Sequence, residues 1–361
     1  MRVICAIEDP GAANGMVGLA DALSAKGVQL AIYATGPATA YAASIGLAVQ
    51  ELDKLSMPFS ADAVLAGTSE NPDSPVFSLT RAAKEAGIPT FGFVDGPANA
   101  AYRFRGISSD PLTHVPDFLL VSDAAAHDAF ISLGVTSENI DVVGHASMDR
   151  VRARTAELDA EGRMAVRARL FAEIDAARPL VVFLAETSDG LDPAEFRRND
   201  AYTLFGRGDS DGRTEICLEE TLDALISVAP EAAVVLRLHP KNDSAMFTPY
   251  TGEISALSSG GDPLEVIYAA DLVIGMTSVL LFEAAVMGRP SIAVTPRQSE
   301  AAWLSSIALG LTSHVCTTEA LRDSIKEKLQ SGQAAMKNLD NLVPPGAAMR
   351  MADAICRRIE C

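Results

Sequence analysis

Short runs of Val, Ile, Leu and Ala recur along this chain, each followed by a stretch with helical spacing, and this alternation restricts the fold more than any other feature. The runs at 3–7, 30–34, 61–67, 90–96, 117–123 and 140–144 are interleaved with helical patterns at 14–26, 38–45, 76–86 and 124–133. Strands that are apolar on both faces belong to a parallel sheet covered by helices on both sides. The pattern predicts a doubly wound, Rossmann-like α/β domain over 1–165. A helical connection over 149–177 ends at Arg178-Pro179, and a second series begins: strands at 180–186, 232–240, 271–275 and 290–296, with helices at 215–228, 262–269 and 278–287. It predicts a second such domain over 178–343. Pro344-Pro345 then lead into a last helix within 344–361, expected to cross back onto the first domain.

Composition removes several classes of function. The 361 residues are 48 % hydrophobic and 21 % charged, ordinary values for a soluble protein with two cores. A net charge of −18 argues against nucleic acid or anionic lipid as partner. No apolar run approaches the roughly 20 residues that span a bilayer, and the first residues read as a core strand and not a leader, so a cytoplasmic location is expected. Cys5, Cys217, Cys316, Cys356 and Cys361 include no CxxC pair and lack a histidine at metal spacing, which predicts reduced thiols and no metal site. The segment Gly11-Ala12-Ala13-Asn14-Gly15 lacks the GxGxxG spacing, and no Walker A string occurs, so no cofactor is expected.

Two strings mark where chemistry is expected. His239-Pro240-Lys241 ends one strand of the second domain, with Arg237 on the same side of that strand as His239. Arg237 is read as a structural partner or a second phosphate ligand. Met276 and Thr277-Ser278 lie where a strand gives way to a helix. In an open α/β sheet, ligands bind at the carboxyl ends of strands, and helix N-termini hold phosphates. The Thr277 and Ser278 hydroxyls either cap the helix or turn with its first N–H groups towards an anion. Glu186, Thr187 and Ser188 end another strand, and the polar, Gly-rich stretch 187–214 reads as a site loop because it is far longer than a usual βα connection. In the first domain the strand-end candidates are Asp95-Gly96 and the loop containing Glu8, Asp9, Gly11 and Asn14. His145 also falls at a strand end.

With these strings in order, the chain resembles the GT-B glycosyltransferases. Within them it is similar to bacterial sialyltransferases and polysialyltransferases, and to the CDP-glycerol glycerophosphotransferases and capsule Kdo transferases. Members carry an acidic-acidic-glycine motif, then His-Pro, then Ser-Ser or Ser-Thr. Here His239-Pro240 and Thr277-Ser278 match the second and third. Val94 stands where the first motif has an acidic residue before Asp95-Gly96; Glu8-Asp9-Pro10-Gly11 has both carboxylates but an additional proline. The resemblance implies two facing Rossmann-like domains. It also implies a nucleotide-sugar donor, CMP-sugar favoured, whose phosphate is held by His239, Lys241, Thr277 and Ser278. It further implies Glu283 on ribose hydroxyls, a structural place for His145, and metal-independent transfer to a glycan or protein hydroxyl acceptor. Asp95, or the Glu8-Asp9 loop in its stead, would be the general base. The expected function is a glycosyltransferase moving a nonulosonate-type sugar. The alternatives are a UDP-N-acetylglucosamine 2-epimerase-like isomerase or hydrolase, and a non-catalytic nucleotide-sugar-binding module.

Overall fold

The apolar runs form the centres of two all-parallel sheets. In this computed structural model, residues 1–56, 58–69, 71–187, 196–331 and 339–360 are described. The first sheet comprises β1 (Arg2–Ile7), β2 (Gln29–Ala34), β3 (Gln50–Glu51), β4 (Ala63–Gly67), β5 (Thr90–Val94), β6 (Phe118–Val121) and β7 (Ile140–Val142), in the order β3-β2-β1-β4-β5-β6-β7. The second comprises β8 (Leu180–Leu184), β9 (Ala233–Arg237), β10 (Ala256–Ser258), β11 (Leu272–Gly275), β12 (Ser291–Val294) and β13 (Ser313–Val315), in the order β10-β9-β8-β11-β12-β13. Both are Rossmann-like orders in which the chain reverses its direction of growth beside the first strand. This creates a switch point between β1 and β4 and another between β8 and β11.

Contacts divide the chain into two units, Met1–Arg150 with Asp340–Cys361, and Val151–Leu339. In the first, the period-2 alternation of β1 sends Val3, Cys5 and Ile7 into one hydrophobic cluster and Ile4 and Ala6 into another, so the strand is apolar at every position from Val3 to Ile7. The C-terminal helix Ala347–Ile359 belongs to this unit. Its Met351, Ala352, Ala354 and Ile355 are buried in the cluster that holds Val3 and Ile7. In the second unit, Val181, Phe183, Leu272, Ile274 and Ile292 pack with Ile216, Leu222 and Leu225 of the helix Arg213–Val228.

Some local expectations change. The helix expected over 14–26 is two short helices, Pro10–Gly15 and Leu19–Ser24, because Gly18 takes a left-handed conformation (φ 75°) between them. The edge strands β10 and β13, three residues each, carry too little periodicity to be read from sequence. Cys5, Cys217 and Cys316 are free thiols, but Cys356 is disulfide-bonded, which corrects the expectation of reduced cysteines at that position. Among the described residues no helix is long and apolar enough to cross a membrane.

Candidate functional site

In the second unit the two strings meet a third residue, and that residue changes their meaning. β8 and β11 are neighbours, so Glu186, just beyond β8, lies beside the turn that leads from β11 into the helix Val279–Val286. Glu186 Oε1 accepts the backbone N–H groups of Met276 at 3.2 Å, Thr277 at 2.7 Å and Ser278 at 2.7 Å. Its Oε2 accepts the Thr277 hydroxyl at 3.0 Å and Arg213 Nη1 at 3.0 Å. The Ser278 hydroxyl meanwhile caps the helix, accepting Leu280 N–H at 3.3 Å. Ser278 is therefore a cap, and the N–H groups that face an anion are those of the turn before the helix. The anion is the chain's own carboxylate.

Arg213 is the residue that sequence reasoning missed. It is fully buried, donates Nε to Glu300 Oε2 at 2.7 Å and Nη2 to the Thr277 hydroxyl at 3.2 Å, and lies near the rings of Phe196 and Trp303. Glu300, itself fully buried, accepts Arg297 Nε at 2.8 Å. Two carboxylates thus face two guanidiniums, the balance that makes buried charge tolerable. The one sequence signal was the end of the long polar stretch: Arg213 is the first residue of the helix that follows it. Neighbouring Thr214 secures the geometry, its hydroxyl donating to the Glu186 carbonyl at 2.8 Å.

The His-Pro string lies alongside. The Asn242 side chain donates to the Glu186 carbonyl at 3.2 Å and accepts His239 N–H at 2.9 Å. His239 Nδ1 accepts the Lys241 N–H at 3.2 Å, so a neutral ring carries its proton on Nε2. Burial, with Lys241 adding to it, pushes the His239 pKa below its ordinary value, against an opposing pull from Glu186. Pro240 and Lys241 are exposed. Arg237 is committed elsewhere: it donates to the Ser258 hydroxyl at 3.0 Å and to the carbonyls of Gly260 and Gly261, and so braces the loop after β10. Glu283 is buried in the helix Val279–Val286, Thr187 is half-buried, and Ser188 lies outside the described residues.

The first unit gathers a separate set at its own strand ends. Glu8, 7 % exposed, accepts the Asn71 amide at 2.6 Å beside the β1–β4 switch point. Asp95, after β5, pairs with Arg103 at 3.2 Å. Gly11 permits that placement, since a Cβ there would lie 2.0 Å from Asp95 Oδ2. Gly96 faces open space. Asp9 precedes the helix Pro10–Gly15 without capping it through its side chain, and Asn14 accepts the Tyr41 hydroxyl at 3.1 Å, a brace between helices. His145 Nε2 lies 3.1 Å from Asp123 Oδ2, and Asp123 also caps the helix Ala124–Leu133 through Ala126 N–H at 2.9 Å. Among the described residues no group of three or more His, Cys, Asp or Glu side chains is arranged to hold a metal ion.

No family model matches the chain, and no curated protein matches it. Its fold is nonetheless shared with solved structures. A UDP-GlcNAc 2-epimerase from Neisseria meningitidis bound to UDP-GlcNAc superposes with a TM-score of 0.67 at 14 % identity, over 99 % of this chain and 100 % of that one. The Methanocaldococcus jannaschii UDP-GlcNAc 2-epimerase in complex with UDP-GlcNAc and UDP gives 0.65 at 14 % identity, over 99 % and 100 %. A glycosyltransferase from Rickettsia africae gives 0.58 at 12 % identity, over 99 % and 93 %. The α/β class with two Rossmann-like domains of GT-B type, expected from the sequence, is the fold observed. The expectation of a sialyltransferase-like glycosyltransferase using a CMP-sugar is corrected. Among the similar structures are several UDP-GlcNAc 2-epimerases, some of them holding UDP-GlcNAc or UDP.

Proposed function

We propose that this protein is a nucleotide-sugar isomerase or hydrolase of the UDP-N-acetylglucosamine 2-epimerase kind, acting on a UDP-N-acetylhexosamine. The observation that carries this reading is the anion cradle at the β8–β11 switch point, where three N–H groups, a hydroxyl and a buried guanidinium converge on one carboxylate. The same donors suit a phosphate oxygen, because each can be accepted by either anion. On this reading the Glu186 carboxylate stands in for a sugar-nucleotide phosphate and turns aside when the nucleotide enters. His239 and Lys241 flank the cradle as further donors. The fold likeness to epimerases holding UDP-GlcNAc and UDP supports the choice of nucleotide.

Inversion at C2 requires that a hydrogen leave one face of that carbon and return to the other, which is work for carboxylate and imidazole groups. Asp95, Asp123 and His145 of the first unit are the candidates, with Asp95 favoured because Arg103 and Gly11 fix its place. The test is incubation with UDP-GlcNAc in D2O without any acceptor, followed by NMR. The expected result is the C2 epimer, or the free sugar with UDP, bearing deuterium at C2. Unchanged UDP-GlcNAc, together with no UDP binding by calorimetry, would sink the proposal.

One observation favours a second reading. Glu186 leaves none of the cradle's three N–H groups open, and Val94 supplies no second carboxylate beside Asp95. A non-catalytic module would have both features. UDP binding without turnover would select it.

A further inference from the structure

The strongest unassigned feature lies at the opposite end of the second sheet. Pro179, Asp271 and Pro290 immediately precede β8, β11 and β12, and there they line a cavity of about 330 Å³. That is within the roughly 300–1,000 Å³ of small-molecule sites. Its walls carry Arg163, Arg167, Arg178, Arg289 and Lys328, a concentration of positive charge in a chain whose net charge is −18. A second cavity of about 250 Å³ shares Arg289, Pro290 and Lys328 with the first.

The carboxylates nearby do not neutralise this set. Asp271 is engaged by Arg163, by Arg167 at 3.1 Å and by the Leu180 N–H at 2.8 Å. Asp159 accepts the Tyr268 hydroxyl at 2.6 Å. Glu327 lies 3.3 Å from Lys328. Among the described residues the Arg178 side chain donates to the carbonyls of Glu231 and Ala232, which carry no charge. Arg289 is the decisive residue. It is 6 % exposed, its Nε is buried without a hydrogen-bond partner, and among the described residues its side chain makes neither a hydrogen bond nor an ion pair. Its guanidinium lies over the Tyr268 ring, 5.5 Å from the centroid. A buried cation left in this condition is costly, and an entering anion would supply what it lacks. Burial, and Arg163 after it, push the Arg289 pKa below its ordinary value, which reports the same uncompensated positive field.

We infer that this cavity is an anion site, separate from the candidate site at the strand carboxyl ends, and that it takes a diphosphate group. Several guanidinium forks around one small cavity match the paired tetrahedral oxyanions of a diphosphate better than a single carboxylate, which Asp271 shows two of them already share. The diphosphate is either free or carried by a nucleotide, and the site then provides a means for such an anion to act on the enzyme from the far side of its sheet.

The experiment titrates the full chain with inorganic pyrophosphate by calorimetry at low salt. Saturable binding is expected, weakened at least tenfold by Arg289→Gln and several-fold by Lys328→Glu, and still present in Lys241→Ala, which alters the candidate site. Lys328→Glu acts at a partly exposed position and keeps the test open should Arg289→Gln fail to fold. Competition by UDP in the Lys241→Ala protein would assign the group to a nucleotide, and its absence to the free anion. No pyrophosphate binding by the unaltered protein, or wild-type affinity in folded Lys328→Glu, or loss of binding in Lys241→Ala, would overturn the inference.

Discussion

Glu186 and Ser278, 92 residues apart in sequence, are joined by a 2.7 Å hydrogen bond from the Ser278 backbone N–H to Glu186 Oε1. This bond places a carboxylate where a helix N-terminus is best suited to receive a phosphate. The pairing exists because β8 and β11 are adjacent in the sheet although the chain visits β9 and β10 between them.

If Glu186 holds the place of a phosphate, removing it should open the cradle. Glu186→Ala is expected to raise UDP affinity about tenfold, roughly 1.4 kcal/mol, because the ligand no longer displaces an internal anion. Calorimetric titration checks it. Affinity that stays the same or falls would place the nucleotide elsewhere.

Arg213 supports two carboxylates from a fully buried position. Arg213→Met should cost about 3–5 kcal/mol of stability, since Glu186 and Glu300 lose their common partner. Adding Glu300→Gln should recover part of that loss by removing one stranded charge. Urea unfolding of the single and double variants measures both, and strict additivity would contradict the coupling.

Acid should destabilise the protein in the range where histidines titrate. Burial lowers the pKa of His114, His239 and His314 in the folded state. As pH falls through the unfolded value of about 6.5, the unfolded chain binds protons that the folded chain refuses, so stability declines. The urea midpoint is expected to be lower at pH 5.5 than at pH 7.5. His314→Asn should reduce the difference, its Nε2 being the atom that bonds the Thr295 hydroxyl at 2.8 Å.

Gly11 and Gly96 offer a matched pair for the first unit. Gly11→Ala would drive a methyl group into Asp95, whereas Gly96→Ala meets nothing within 4 Å. If Asp95 handles a proton, Gly11→Ala should lower kcat tenfold or more, as Asp95→Asn does, while Gly96→Ala stays near wild type. Equal activity in all three would remove Asp95 from the chemistry.

Deleting 344–361 should unfold the first unit. Met351 and Ile355 are fully buried, and each contributes about 1.5–3 kcal/mol through burial. Loss of the cooperative thermal transition of that unit is the expected result, and a truncated chain with an unchanged transition would refute it.

Much of the fold was legible because a strand buried on both faces leaves an unbroken apolar run. The run from Val3 to Ile7 serves two clusters at once and announces a parallel sheet. The switch-point strand ends were legible for the same reason, since Thr277 and Ser278 follow the end of such a run and precede a helix. The short edge strands β10 and β13 were not, and neither was the break at Gly18, where one φ angle divides a continuous helical pattern.

The sequence by itself determined the two parallel sheets, the return of the last helix and the residues standing at strand ends, because periodicity and strand-stopping residues are local properties. Tertiary structure alone decided which of those residues meet. It brought Glu186 and Arg213 to the Thr277 cradle, turned Arg237 towards the loop after β10, and left the Arg289 guanidinium buried without a hydrogen-bonding or ion-pair partner among the described residues. The physical reason is that charge pairing depends on which strands are neighbours, and in a doubly wound sheet the neighbours of the first strand come from distant parts of the chain.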